Sequence, residues 1–247
     1  MIESRLFYFH NPKAGGTSVR HAIEALFSDG DIAPLVENTE PGFRRNGGDY
    51  SAFRGYRYYG GHYGSNIFDA VNDGHDCVTN LRKSDSRLLS LYNYFMVDVE
   101  IPDDPSLYEQ FHAVRFAQTV DFHTFVASED PLVEVYTRNH LVRQLSGSAW
   151  DVRSTGDLSQ AAAMIDRMRW FYVCEEPALS WRWAQDAFGG LLPPIARDNV
   201  TSRAKGGRVA VTSMSDETRA VILAKNTLDT ALYDYALRRL HEGRAAA

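Results

Sequence analysis

The chain has 247 residues, with 26 basic and 32 acidic side chains and a formal net charge of −6. This length suits one large α/β domain, and a hydrophobic content of 44% is that of an ordinary globular protein. The negative net charge excludes a globally basic surface for nucleic acid, so any anion site is expected to be local.

The first predicted elements are a strand, a turn and a helix within residues 6–27. Residues 6–9 (LFYF) form an apolar, aromatic run typical of a buried strand, and residues 17–27 carry apolar side chains at helical spacing. Between them, glycines allow backbone N–H groups to close around a ligand, and the helix N-terminus presents unpaired donors. With Lys13 in this turn, the segment predicts a cradle for a phosphate or sulfate group.

Further strands and helices follow in alternation. Residues 28–53 lack periodicity and predict an irregular segment that carries Arg44 and Arg45. Residues 54–62 (RGYRYYGGH) predict a short aromatic strand, residues 65–71 a brief helix, and residues 75–81 (HDCVTNL) a second apolar strand. The next helix has Ser84 or Asp85 as its expected N-cap. Two successive strand–turn–helix units indicate parallel strands with crossover helices.

The second half predicts mainly helices, over residues 105–117, 131–145 and 157–169. A further strand is expected over residues 170–174 (WFYVC), followed by a helix that ends at Phe188. A basic loop then contains Arg197, Arg203, Lys205 and Arg208, and residues 215–240 predict one long helix or a broken pair. With no repeat or linker, residues 1–247 predict a single α/β domain: a P-loop-like three-layer fold with a central, mostly parallel sheet flanked by helices.

Two cysteines and the hydropathy pattern bear on the cellular compartment. Cys77 and Cys174 lie in apolar runs and predict buried free thiols, which suits a reducing environment. No apolar run approaches the roughly 20 residues of a membrane-spanning helix, and the first strand begins too early to leave room for a secretion signal. We therefore expect a cytoplasmic protein without a membrane span.

The order of residues in the first turn distinguishes between phosphate-binding loops. The Walker A pattern, GxxxxGK[ST], places its lysine after the glycines, whereas Lys13 precedes Gly15 and Gly16. PKAGGTS (residues 12–18) resembles instead the 5′-phosphosulfate-binding loop of sulfotransferases. LRKSDSRLLSLY (residues 81–92) is similar to their 3′-phosphate-binding segment, in which an arginine and a serine eight positions later hold the phosphate. Arg82 and Ser90 have that spacing.

Other segments resemble the glycan branch of the family, which includes heparan and uronyl sulfotransferases. In that branch a Gly-His pair after an aromatic strand carries the catalytic histidine, and Gly61-His62 fits this pattern. RNHLVRQLSG (residues 138–147) and NTLDTALYDYA (residues 226–236) are also similar to it. One departure is Arg82-Lys83-Ser84, where the family usually has Arg-Asp-Pro.

The resemblance implies 3′-phosphoadenosine 5′-phosphosulfate as donor and adenosine 3′,5′-bisphosphate as product, with no metal. Lys13 would stabilise the leaving phosphate, and His62 would take the proton of an acceptor hydroxyl, with a glycan as the expected partner. The donor-binding residues it implies are Lys13, Ala14, Gly15, Gly16, Thr17, Ser18, Arg82 and Ser90.

Several alternatives stay open at this point. Thr17 and Ser18 suit helix caps, and His62 suits a structural turn histidine. Arg138 and Arg143 on the predicted helix are candidates for binding an anionic acceptor, with ion pairing on a solvated face as the alternative. An inactive nucleotide-binding protein of the same fold, or a P-loop kinase that acts on a small metabolite, are the competing functions.

Overall fold

The computed structural model describes residues 2–34, 53–147, 150–151, 154–195, 204–205 and 207–242. Of the residues singled out above, Arg44, Arg45, Arg197 and Arg203 lie outside these ranges. No helix within the described ranges is both long and apolar enough to cross a bilayer.

A parallel four-stranded sheet forms the centre of the protein. Its strands pair in the order β2-β1-β3-β4, all parallel, and they comprise β1 (Arg5–Phe9), β2 (Tyr58–Gly61), β3 (His75–Leu81) and β4 (Met168–Val173). Phe9, the last residue of β1, lies opposite Gly61 on one side and Thr79 on the other. The segments that follow the first three strands therefore leave the sheet at the same edge, and the predicted α/β class is confirmed.

Helices surround this sheet, and two short strands stand apart from it. The helices are α1 (Gly16–Glu24), α2 (Ser65–Val71), α3 (Ser84–Asn93), α4 (His112–Ala117), α5 (Phe122–Ala127), α6 (Pro131–Thr137), α7 (His140–Leu145), α8 (Leu158–Asp166), α9 (Pro177–Ala187), α10 (Asp216–Lys225) and α11 (Thr227–Glu242). A π-helical turn, Tyr94–Asp98, follows α3, and β5 (Ala204–Lys205) pairs antiparallel with β6 (Arg208–Val209).

The sheet and the helices packed on its two faces form three layers, because successive side chains of each strand point to opposite faces. Leu6 and Tyr8 of β1 pack in a cluster with α1 and α9, whereas Phe7 and Phe9 pack with α2, α8 and α11 on the opposite face. This follows from the two-residue repeat of a strand, which sends successive side chains to opposite faces. Helices α3 to α6 and α10 form a third apolar cluster beside these layers.

The prediction of one helix over residues 131–145 was wrong, because Asn139 interrupts it. Asn139 has a left-handed backbone conformation (φ 42°), and its side-chain oxygen accepts the N–H groups of Leu228 and Asp229 at 3.1 and 3.2 Å. The Asp229 carboxylate in turn accepts the N–H groups of Leu141 and Val142 at 3.1 and 2.8 Å. The starts of α7 and α11 thus cap each other, which compensates for the break.

Other boundaries also differ from the predictions. The helix expected over residues 105–117 consists of a 3₁₀ turn, Pro105–Leu107, followed by α4. The N-cap of α3 is Lys83 rather than Ser84 or Asp85, and its N–H donates to Glu175 Oε1 at 3.0 Å. The C-terminal segment is the broken pair α10 and α11, and both cysteines are free thiols.

Candidate functional site

The candidate site lies at the carboxyl edge of the sheet. From β1 the chain moves outward to β2 and then returns past β1 to β3, with α1 on one face and α2 on the other. The connections therefore diverge between the carboxyl ends of β1 and β3, which is where open α/β sheets bind their ligands. The Lys13 turn and Arg82 follow these two strands directly.

Asn80, near the end of β3, holds the Lys13 turn in place. Its side chain is fully buried, and its Nδ2 donates to the carbonyl oxygens of Asn11 and Ala14, both at 2.8 Å. Its Oδ1 accepts the N–H of Asn11 at 2.9 Å and the hydroxyl of Tyr8 at 2.7 Å. Three of these four hydrogen bonds are with the backbone of the turn and fix its conformation, and the fourth ties the amide to Tyr8.

The backbone of the turn requires small residues at its end. Gly15 has φ 73°, a left-handed conformation, and it is the N-cap of α1. A Cβ on Gly16 would fall 2.1 Å from ring atoms of His10. Thr17 and Ser18 lie inside the first turn, so they are not N-caps. Because Gly15 has no side chain to cap them, the first N–H groups of α1 keep their partial positive charge toward the turn.

Two cations meet at this edge. Arg82 Nη1 donates to the Lys13 carbonyl oxygen at 3.1 Å, and Lys13 Nζ lies 4.0 Å above the centre of the Tyr94 ring. Burial lowers the pKa of Lys13 to about 8, the Asp98 carboxylate opposes this shift, and the Arg82 charge adds to it. Within the described ranges, neither cation forms a salt bridge. An anion bound here would offset both positive charges.

Ser90 is the serine that the resemblance pairs with Arg82. It is half-buried on α3, seven residues after Lys83, the N-cap of the helix. The structure joins Arg82 to the Lys13 turn, which ends at Gly15 and Gly16, through the Lys13 carbonyl oxygen. It gives no hydrogen bond between the Ser90 hydroxyl and Lys13 or Arg82, all three being described residues.

His62 follows β2 directly and turns toward the same edge. Its Nδ1 lies 2.8 Å from the carbonyl oxygen of His10, and the two imidazole centres are 4.5 Å apart. A carbonyl oxygen only accepts, so this contact assigns the proton to Nδ1. In the neutral ring the lone pair then lies on Nε2, the arrangement that a general base requires.

Two residues that were not predicted as site residues support His62. Gln144, fully buried on α7, donates from Nε2 to the carbonyl oxygens of His10 at 3.2 Å and Tyr63 at 2.9 Å. The indole N–H of Trp150 donates to the His62 carbonyl oxygen at 2.9 Å. These bonds fix the backbone of His10, His62 and Tyr63 around the His62 imidazole. Three supporting residues, Asn80, Gln144 and Trp150, were not predicted as site residues. Asn80 is the one that the sequence could have indicated, because it is an amide within the apolar run of residues 75–81.

His10 connects the turn to His62. Its ring is buried and stacks on Tyr8, with centroids 5.4 Å apart and an interplanar angle of 7°. Burial, followed by the charges of His62, Arg20 and Lys13, lowers the pKa of His10 well below its ordinary value. His10 therefore stays neutral. Its ring packs between Tyr8 and His62, and its carbonyl oxygen accepts from His62 Nδ1.

The two arginines expected to bind an acceptor occupy different environments. Arg143 is buried and donates to the carbonyl oxygens of Arg138, Asp151 and Val135 at 3.2, 3.1 and 2.6 Å. Arg138 is exposed, and its Nη1 lies 3.4 Å from Glu134 Oε2 in an i,i+4 pair. Arg143 thus stabilises the α6–α7 turn, and Arg138 is at the surface.

This edge holds two cations, the first N–H groups of α1 and an imidazole, which are groups that suit an anion and a proton transfer. Among the described residues, no group of three or more His, Cys, Asp or Glu side chains is arranged to hold a metal ion. No known family model matches the chain, and no curated protein matches it either.

Proposed function

We propose that this protein transfers a sulfuryl group from 3′-phosphoadenosine 5′-phosphosulfate to a hydroxyl group, with a carbohydrate as the expected acceptor. One observation carries the proposal: the Lys13 turn is joined to Arg82 at the β1/β3 switch point, next to His62. The resemblance of residues 12–18 and 81–92 to the two donor-binding segments of sulfotransferases supports the same assignment.

The donor carries anionic groups at both ends of its nucleotide. In the proposal the phosphosulfate end lies in the Lys13 turn, against the backbone N–H groups of Gly15, Gly16, Thr17 and Ser18. The 3′-phosphate lies toward Arg82 and Ser90. The bound anion would raise the pKa of Lys13 from about 8, so that its amine is fully charged in the complex.

Transfer then proceeds by displacement at sulfur. The acceptor oxygen forms a new S–O bond, the bond from sulfur to the 5′-phosphate oxygen breaks, and the acceptor proton passes to His62 Nε2. The products are a sulfate ester and adenosine 3′,5′-bisphosphate. By analogy with phosphoryl transfer, positioning and electrostatics provide most of the acceleration. Lys13 and the α1 N–H groups stabilise the charge that develops on the leaving oxygen.

A turnover assay tests this proposal. Wild-type protein with sulfur-labelled donor and a panel of hydroxyl-bearing acceptors should yield labelled sulfate ester. Lys13→Met should lower turnover by about 10²–10³-fold, the usual cost of removing one donor to a developing oxyanion. The variant should fold normally, because the lowered pKa of Lys13 shows that burying its charge disfavours folding.

Two outcomes would favour the competing functions. Tight binding of the bisphosphate without turnover of any acceptor would indicate an inactive nucleotide-binding protein. Label transfer from γ-labelled ATP in the presence of magnesium would indicate a kinase.

A further inference from the structure

The turn between β3 and α3 carries Arg82 but has no cap of its own. Arg82 is the single residue between Leu81, which ends β3, and Lys83, which is the N-cap of α3. The Lys83 side chain forms no capping hydrogen bond, and Ser84 occupies the first helical position, where a proline would fix the backbone. The conformation around Arg82 therefore depends on contacts from elsewhere in the chain.

The loop between β4 and α9 contacts this turn on both sides of Arg82. The Cys174 N–H donates to the Leu81 carbonyl oxygen at 3.0 Å. The next residue, Glu175, accepts the Lys83 N–H at Oε1, also at 3.0 Å. Two consecutive residues of the loop thus hold the residue before Arg82 and the residue after it.

Glu175 is itself held at both carboxylate oxygens. Its Oε2 accepts the hydroxyl of Tyr233, a nearly fully buried residue of α11, at 3.0 Å. Burial and the Glu175 charge raise the pKa of Tyr233, as expected for a phenol that donates to a carboxylate. The loop is also short, with residues 174–176 between β4 and α9, and the Val173 N–H donates to the buried Ser180 Oγ at 2.9 Å. Although Glu175 is exposed, its orientation is therefore fixed by the fold.

The Glu175 carboxylate holds the turn without neutralising its cations. Among the residues that the structure describes, it forms no salt bridge with Arg82 or Lys83. Burial raises the pKa of the Cys174 thiol to about 12; the Arg82 charge opposes this shift, and the Glu175 charge adds to it. The guanidinium of Arg82 thus lies close to this loop, donates to the Lys13 carbonyl oxygen and keeps its charge for an anion.

We propose that Glu175 is a positioning residue for nucleotide binding: by holding the Lys83 N–H, it directs Arg82 toward the 3′-phosphate of the donor. The inference rests on the proposed function, because it takes Arg82 as the contact for that phosphate. Its effect should be confined to the 3′-phosphate. The Lys13 turn, which the proposal assigns to the 5′ end, is fixed separately by the three backbone hydrogen bonds of Asn80.

Paired titrations with two nucleotides test this role. Adenosine 3′,5′-bisphosphate, and adenosine 5′-phosphate, which lacks the 3′-phosphate, are titrated by calorimetry into the full chain as wild type and as three variants. Glu175→Leu removes both hydrogen bonds, whereas Glu175→Gln keeps an oxygen for the Lys83 N–H and an amide for the Tyr233 hydroxyl. The matched control is Glu176→Leu, since Glu176 is the next acidic residue and its side chain lies 3.9 Å from His241. Urea denaturation checks folding, which the variants should retain because Glu175 is exposed.

Glu175→Leu should lower bisphosphate affinity about tenfold and change monophosphate affinity by less than about twofold, because its contacts lie on the Arg82 side of the site. For comparison, loss of an outer hydrogen-bond partner costs a metal site about 10–100-fold in affinity, and the exposure of Glu175 favours the lower end. Glu175→Gln should restore bisphosphate affinity to within about threefold of wild type, because a neutral acceptor gives a weaker hydrogen bond than a charged one. Glu176→Leu should leave both affinities unchanged.

Equal bisphosphate affinity in Glu175→Leu and Glu176→Leu would overturn the inference. Equal losses for the two nucleotides, which would indicate a general structural role, would also overturn it, as would a Glu175→Gln variant that binds as weakly as Glu175→Leu. A wild-type protein that does not prefer the bisphosphate would instead count against the proposed function. Hydrogen exchange of the Lys83 amide then still tests the contact without nucleotide: it should be about tenfold faster in Glu175→Leu than in Glu176→Leu, and equal rates would overturn the inference.

Discussion

Two matched pairs of an arginine and a histidine occupy very different environments in this protein. Arg143 and His140, in the α6–α7 region, are both buried; Arg143 donates to three carbonyl oxygens, and His140 Nδ1 bonds the Val135 carbonyl oxygen at 3.0 Å. Arg82 and His62, at the carboxyl edge of the sheet, are half-buried, and Arg82 makes one hydrogen bond to a described residue.

The two pairs differ in what surrounds their donor groups, and we propose that only the edge pair takes part in binding and turnover. The α6–α7 pair is directed into the fold, where Asp229 is the counter-charge that offsets the burial of Arg143. The edge pair is half-buried at a topological switch point, where Arg82 donates to the carbonyl oxygen of Lys13, a lysine whose pKa is lowered by burial. Matched substitutions in the two regions should therefore have opposite consequences: loss of stability in one, and loss of binding or turnover in the other.

The histidine pair should show the largest contrast. We expect His62→Ala to lower kcat by about 10²–10⁴-fold, the usual contribution of a general base, with unchanged bisphosphate affinity. His140→Ala should instead lower the free energy of unfolding by about 2–4 kcal/mol, because it empties a fully buried site. Steady-state kinetics and urea denaturation of both variants measure this. Full turnover in His62→Ala would remove it from the role of base.

Arg143→Met should be the most destabilising of the arginine substitutions. It removes three hydrogen bonds to carbonyl oxygens, of which those of Val135 and Asp151 keep one other donor each, from His140 Nδ1 and the Ser154 N–H. We expect a loss of about 3 kcal/mol in the free energy of unfolding. The folded fraction should keep its affinity for the bisphosphate, as judged by calorimetry under conditions where the variant is folded. Weakened nucleotide binding with normal stability would place Arg143 in the site after all.

Arg82→Met should show the reverse pattern. The free energy of unfolding should fall by about 1 kcal/mol at most, since one hydrogen bond to the Lys13 carbonyl oxygen is lost. Bisphosphate affinity should fall by about 10–100-fold, because a charge-assisted contact to phosphate is removed. The control is Arg182→Met, which changes an exposed arginine on α9. An equal bisphosphate affinity in the Arg82→Met and Arg182→Met variants would contradict this role for Arg82.

The smallest expected effect is a pH dependence of nucleotide binding. Because the pKa of Lys13 is lowered to about 8 in the ligand-free protein, its amine loses its proton as the pH rises above that value. Phosphate monoesters are fully ionised above pH 7, so bisphosphate affinity should fall by about tenfold between pH 7 and pH 9. Lys13→Arg should abolish this decline. A wild-type affinity that stays constant to pH 9.5 would show that Lys13 does not contact the anion.

Much of the fold could be predicted because buried parallel strands are continuous apolar runs. Residues 75–81 and 65–71 were predicted with the bounds that the structure has, and the parallel sheet followed from two strand–turn–helix units. The break at Asn139 could not be predicted, because its left-handed backbone is compensated by groups about 90 residues away, at the start of α11. The sequence pattern around Asn139 contains no information about partners so far away in the chain.

Part of the candidate site could likewise be predicted from the sequence, and part of it could not. Lys13, Gly15 and Gly16 were visible because a turn for an anion needs glycines and a cation in consecutive positions. The support from Asn80 and Gln144 comes from distant segments, so residue type alone did not predict it. The sequence interpretation of Arg143 as an acceptor contact depended on its charge, whereas its environment follows from three carbonyl oxygens that only the fold brings together.

Calorimetric titration with adenosine 3′,5′-bisphosphate, and separately with ATP and magnesium, tests the central claim most directly. We expect the bisphosphate to bind wild-type protein at least about tenfold more tightly than ATP, and the double variant Lys13→Met, Arg82→Met to lose this preference. Tighter binding of ATP, or an unchanged bisphosphate affinity in the double variant, would contradict the assignment of this edge to a phosphosulfate donor.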